Sequence, residues 1–75
     1  MDKPHALEWL LLQTVEWKHP DCDYIFIYID NNQPSHFRYT NNWKELQKSP
    51  FVILISHYEF SNYLKERMGL FVTAY

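Results

Sequence analysis

The run Tyr24-Ile25-Phe26-Ile27-Tyr28-Ile29 is apolar on both faces of any strand it forms. It constrains the fold more than any other segment. Successive side chains of a strand point to opposite faces, so Tyr24, Phe26 and Tyr28 share one side and the three isoleucines the other. Phe51-Val52-Ile53-Leu54-Ile55 repeats the character. A chain of 75 residues is a single domain over 1–75, near the lower size limit for independent folding. Chains this small bury only about 60% of their unfolded surface. Covering one face of a small sheet is within reach of such a chain, and covering both is not. The second face is therefore expected to meet something outside the chain.

Three Trp, six Tyr and five Phe supply the apolar area that so short a chain needs, at about 150–250 Å² each. The single glycine implies few flexible loops. Nine acids against seven bases leave a net charge of −2. A general nucleic-acid binder needs a basic footprint to neutralise phosphates, and a DNA mimic needs far more carboxylate. One cysteine, Cys22, excludes an intrachain disulfide framework. No secretory pattern follows Asp2, Lys3 and Pro4, and the apolar stretch Ala6 to Leu12 is too short to span a bilayer. The expected location is a reducing cytoplasm.

Pro4 to Lys18 reads as a helix, with proline in its first turn. Its core stripe is Leu7, Leu10, Leu11, Thr14, Val15 and Trp17. Trp9 and Leu12 fall on the opposite side with Glu8, Gln13 and Glu16. His19-Pro20 ends the helix. The polar stretch Asp30 to Ser35 joins Tyr24–Ile29 to a returning strand, His36 to Thr40, by a loop longer than two residues. Asn41 and Asn42 cap a short helix, Trp43 to Lys48. Pro50 introduces a strand from Phe51 to Ser56. Ser56-x-x-Glu59 is a capping box for a helix through Phe60, Tyr63, Leu64 and Met68, stopped by Gly69. Leu70 to Tyr75 reads as a last strand.

The order is thus α-β-β-α-β-α-β, an α+β domain with a four-stranded mixed sheet and helices mainly on one face. Its last three elements form a βαβ unit. The final strand lacks charge, proline and glycine, the usual guards of an edge. It is therefore either central in the sheet or pairs with another chain, which predicts a homodimer.

The hairpin register decides what the uncovered face displays. If the isoleucines join Phe37 and Tyr39 under the helices, that face carries Tyr24, Phe26, Tyr28, His36, Arg38 and Thr40. A slip of one residue gathers the five aromatics together instead. Three open aromatics approach the ~800 Å² per partner of a standard protein interface. Tyr and Arg are also the residue types that dominate binding hot spots. Closure of this face by the Trp43 helix or the first helix is the competing arrangement.

Displayed aromatics also suit base stacking, but Arg38 is the one cation on that face, and Asp23 and Asp30 flank the first strand. A small ribonuclease-like centre from His36, Arg38, Tyr28 and Glu59 lacks any motif fixing its geometry. Cys22 sits between two acids beyond a helix C-terminus, where a thiolate is disfavoured. His19-x-x-Cys22 with Asp23 lacks the second clustered pair of a metal site. No phosphate loop, nucleophile elbow or zinc-protease motif is present.

The expectation is a non-catalytic protein-binding module without metal or cofactor. Its contact residues are Tyr24, Phe26, Tyr28, His36 and Arg38, with Trp9 and Leu12 on the first helix. An inhibitor or regulator of a larger protein fits this size, by analogy with small phage and plasmid proteins.

Overall fold

The computed structural model describes the backbone over residues 2–44 and 49–73, with side chains as far as Arg67. The elements are α1 (Lys3–Gln13), β1 (Tyr24–Asp30), β2 (Gln33–Thr40), β3 (Val52–Ser56) and α2 (His57–Thr73). The sheet is three-stranded in the order β2-β1-β3, with both pairings antiparallel. The expected four-stranded mixed sheet and its βαβ unit are therefore replaced by an α-β-β-β-α order. The apolar run on both faces of β1 is explained by its central place.

α1 starts where the Asp2 carboxylate accepts the His5 amide at 3.1 Å, with Pro4 in the first turn. It stops five residues before the expected Lys18. Thr14 turns extended (φ −160°, ψ 145°). Its hydroxyl donates to the Glu16 carbonyl at 2.9 Å and accepts the Glu16 amide at 3.1 Å. A threonine that satisfies nearby backbone groups competes with the helical ladder, and the β-branched pair Thr14-Val15 adds little helix propensity to oppose it. The shorter helix rotates its buried stripe to Ala6 and Leu10, flanked by Leu7 and Trp9.

The β1–β2 connection is a two-residue turn, tighter than expected. Asp30 pairs with Gln33, and Asn31 and Asn32 take φ of 52° and 62°. Positive φ at both central residues defines a type I′ turn, whose twist matches that of the strands. Asparagine tolerates this region better than most residues. The residues read as loop, Gln33 to Ser35, instead begin β2. Pro34 is accommodated because β2 is an edge strand. Ser35 is an extra residue between the Tyr28–His36 and Ile29–Pro34 pairs, a β-bulge. Its hydroxyl donates to the Tyr28 carbonyl at 3.1 Å.

Above the bulge, Ile25 pairs with Tyr39 and Ile27 with Phe37. On the other side of β1, Ile25 pairs with Ile55 and Ile27 with Ile53. These side chains share the face on which both helices lie. Ala6, Leu10, Ile25, Ile27, Ile55 and Phe60 form the buried core there. Trp17 reaches it from the segment after α1, not from the helix. Its indole N–H donates to the Cys22 carbonyl at 2.7 Å. Its ring meets Tyr39, His57 and Phe60 at centroid distances of 5.3, 5.0 and 5.8 Å. Such pairs add about 0.5–1.5 kcal/mol each beyond their buried area.

The capping box at α2 forms as expected. Ser56 Oγ accepts the Glu59 amide at 3.0 Å and the Ser56 amide donates to Glu59 Oε1 at 3.2 Å. Gly69 does not end the helix, which runs to Thr73. A glycine inside a helix costs about 1 kcal/mol against alanine but breaks nothing by itself. Leu70-Phe71-Val72-Thr73 is too short an apolar run for its pattern to separate strand from helix. Ala74 and Tyr75, the rest of the expected strand, lie outside the described residues. Trp43 and Lys44 occupy a turn, and the remainder of the expected Trp43–Lys48 helix also lies outside them.

The type I′ turn gives a direct test. Asn32→Gly keeps or raises stability, whereas Asn32→Val lowers it by about 1–2 kcal/mol, the cost of a left-handed branched residue. Urea unfolding of the two variants checks this, and equal midpoints would refute the turn assignment.

Candidate binding face of the sheet

On the face away from the helices, the register sets three rows across the strands. These are Thr40-Tyr24-Ser56, Arg38-Phe26-Leu54 and His36-Tyr28-Val52. Of the two registers open to the sequence, the one that puts the isoleucines with Phe37 and Tyr39 is adopted. Tyr24, Phe26, Tyr28, His36 and Arg38 therefore share one surface.

Their exposure is uneven. Phe26 is 0% exposed although it does not belong to the helix-side core. The Arg38 guanidinium lies over its ring, 5.7 Å from the centroid. Thr40 is also buried, and Tyr24 and Tyr28 are half-buried. The open apolar strip expected on this face is thus closed at its centre. Phe26 supports the surface from beneath, and a visiting group does not reach it.

What remains accessible is an ordered cluster around Tyr28. The His36 ring stacks on the Tyr28 ring, with centroids 4.4 Å apart and planes within 14°. Arg38 Nε donates to Tyr28 Oη at 3.0 Å. The bulge residue Ser35 holds the far end, its Oγ 2.9 Å from His36 Nδ1. Sequence reasoning missed Ser35, because Pro34-Ser35 resembles a loop. A proline one residue before an alternating run is the signal that marks a bulged edge strand.

The two helix residues separate. Trp9 turns toward the sheet and meets Phe37 edge-on, with centroids 5.9 Å apart. Leu12 is 80% exposed and borders a shallow groove with Leu11, Val15 and Lys18. Neither adjoins the Tyr28 cluster, which lies on the opposite face.

Glu59 is not brought to His36, Arg38 and Tyr28. It belongs to the helix layer, where Lys3 Nζ lies 3.0 Å from Oε2. Burial works against its charge. The Lys3 ammonium and the Ser56 amide outweigh that and hold its carboxyl below the ordinary 4.5. Asp2 is also lowered, first by the His5 amide and then by the His5 ring 2.6 Å away. Among the described residues, no group of three or more His, Cys, Asp or Glu is placed to hold a metal. Cys22 is a half-buried free thiol. No helix of the described residues is long and apolar enough to cross a membrane.

Comparison of the chain with known protein families, with characterised proteins and with solved structures gives no match.

The Glu59 carboxylate yields a prediction with a definite sign. Because its folded-state pKa is depressed, its stabilisation is complete above the ordinary value of 4.5. It is lost as pH falls through the lower folded value. Glu59→Gln keeps a capping side chain but loses the Lys3 ion pair. We expect it to lower stability at neutral pH by at most about 1 kcal/mol, since the pair is partly exposed. The variant then loses less stability than the parent on acidification. Urea midpoints at neutral and acidic pH measure both effects, and parallel pH profiles would count against the assignment.

Proposed function

We propose that this protein is a non-catalytic binding module that docks a larger protein on the sheet face away from its helices. The observation that carries this reading is the fixed position of Tyr28 between the stacked His36 ring and the Arg38 guanidinium. Side chains already ordered by their neighbours lose less entropy when a partner arrives. Tyr and Arg combine large contact area with directional donors and recur as interface anchors. Val52 lies in the Tyr28 row, and Tyr24 lies on the same face beyond the Phe26 row. Phe26 acts here as the buried base of the surface.

Charge pairing favours a protein over a nucleic acid as the partner. Lys3 is matched by Glu59 and Arg67 by Glu8, at 3.0 and 3.3 Å. Arg38 is engaged by Tyr28 and Phe26. Phosphate neutralisation needs a basic footprint, whereas the net charge is −2. A single cysteine and a rigid, small frame suit an inhibitor or regulator acting in a reducing compartment.

Tyr28→Ser tests the reading. It removes the stacked ring at a half-buried position, so the variant is expected to stay folded by circular dichroism. Proteins captured by the parent from the host extract are expected to bind it at least about thirtyfold more weakly, the scale of a 2 kcal/mol anchor. Lys65→Ala, on the exposed side of α2, serves as the control that retains capture. Equal capture by both variants defeats the proposal. Binding to an oligonucleotide that weakens steeply with salt and with Arg38→Ala transfers the same face to single-stranded nucleic acid.

A further inference from the structure

The two edges of the sheet are built differently. The β2 edge carries Pro34, the Ser35 bulge, His36 and Arg38, features that discourage pairing with another strand. The β3 edge reads Val-Ile-Leu-Ile-Ser, without charge, proline or glycine. It is the unguarded edge of this sheet.

The hydrogen bonds at its two ends show which backbone groups face outward. The Ile29 amide donates to the Phe51 carbonyl at 2.7 Å, and the His57 amide to the Asp23 carbonyl at 2.8 Å. Paired and unpaired positions alternate along an antiparallel ladder. Phe51, Ile53, Ile55 and His57 thus turn their backbone groups to β1. Val52, Leu54 and Ser56 turn theirs to the outer edge. At Ser56 these groups are in use. The amide donates to Glu59 Oε1 at 3.2 Å, and a helix N-cap gives its carbonyl to the first helical bond. At Val52 and Leu54, the amide and carbonyl meet no partner among the described residues.

We propose that β3 pairs antiparallel with β3 of a second copy of this chain, across a two-fold axis at Ile53, joining the two sheets into one. In that register Val52 faces Leu54 of the second copy, and Leu54 faces its Val52. Each such couple exchanges two N–H···O bonds, which uses all the outward groups of both residues. Ser56, whose groups are occupied, falls opposite Pro50, which has no N–H to present. An axis through Leu54 sets Val52 against the occupied Ser56 instead. The free amides and carbonyls of Val52 and Leu54 match their own copies, and Ser56 meets a residue with no amide to leave unpaired. That is the self-complementarity an isologous contact requires.

The side chains agree with this occupant. Phe51 is 65% exposed at the start of β3. The two-fold places it beside Ile55 of the second copy and diagonal to its His57, within reach of an aromatic side chain. The acid nearest the seam in sequence, Glu59, is already paired with Lys3. The seam is made by the backbone edge of β3, whose Val52 and Leu54 side chains lie in the rows of Tyr28 and Phe26, and the proposal rests on that edge and not on the function assigned to the face.

The test uses the full chain. Sedimentation equilibrium is expected to give twice the monomer mass at high concentration. Amide exchange is expected to show Leu54 protected in the dimer and at least about tenfold less protected on dilution, while Ile53 and Ile55 stay protected throughout by β1. Val52→Pro removes an outward donor at the first position of a strand, where proline is tolerated. It is expected to weaken self-association at least about tenfold, the effect of roughly 1.4 kcal/mol. Should that variant not fold, Val52→Lys places a charge on the edge and is read the same way. A monomer at millimolar concentration overturns the proposal, as does a Leu54 amide that exchanges freely in a dimer. Unchanged association of a folded Val52 variant does so too.

Discussion

The structure depends on β1 being buried on both faces at once. Ile25, Phe26 and Ile27 are consecutive and each is 0% exposed. Alternation sends them to opposite sides of the sheet, so two separate covers must exist. On one side the cover is conventional, with α1 and α2 packing Ala6, Leu10 and Phe60 onto the isoleucines. On the other, the cover includes a guanidinium over the Phe26 ring and the rows of half-buried side chains beside it. An arginine laid across an aromatic ring hides apolar area while keeping its charge at the surface.

That arrangement links stability to the candidate function. Arg38 covers Phe26 and also fixes Tyr28 through its hydroxyl. The residue that completes the core on this side is therefore the one that orients the exposed ring. His36 adds the stack, and its own place is set by the bulge at Ser35. Bulges redirect side chains where a strand meets a functional surface. If Ser35 instead paired in register with Tyr28, His36 would fall opposite Ile27 and turn toward the helices.

Much of this was legible in the residues, and the errors have identifiable physical causes. The strands expected over Tyr24–Ile29, His36–Thr40 and Phe51–Ser56 from β-branched and aromatic runs correspond to β1, β2 and β3. The capping box fixed the start of α2. The failures lay where local chemistry was ambiguous. Thr14 was read as a helical core residue, yet its hydroxyl captures Glu16 and ends the helix. Asn31-Asn32 looked like part of a long polar loop, because turn type depends on φ and not on polarity alone. Gly69 and the apolar tail suggested a stop and a strand, whereas helix propagation from a well-capped start outlasted one unfavourable residue. Within the face, the sequence left two hairpin registers open and gave no depth for any residue. Phe26 is fully buried with the Arg38 guanidinium over its ring, while Tyr28 on the same face is half-buried.

The loss of the fourth strand changes what the sheet's edges mean. With Leu70–Thr73 helical, β3 is an edge strand, yet its composition is that of an interior one. Its outward carbonyls and amides are spaced for a partner, while its last residue has spent its own groups on the helix that follows. The opposite edge is interrupted by a proline and a bulge and faces the polar cluster instead. One bulged strand thus serves recognition by side chains, and one plain strand offers its backbone. Each edge suits a different kind of contact because the central strand has already consumed the covering material on both faces.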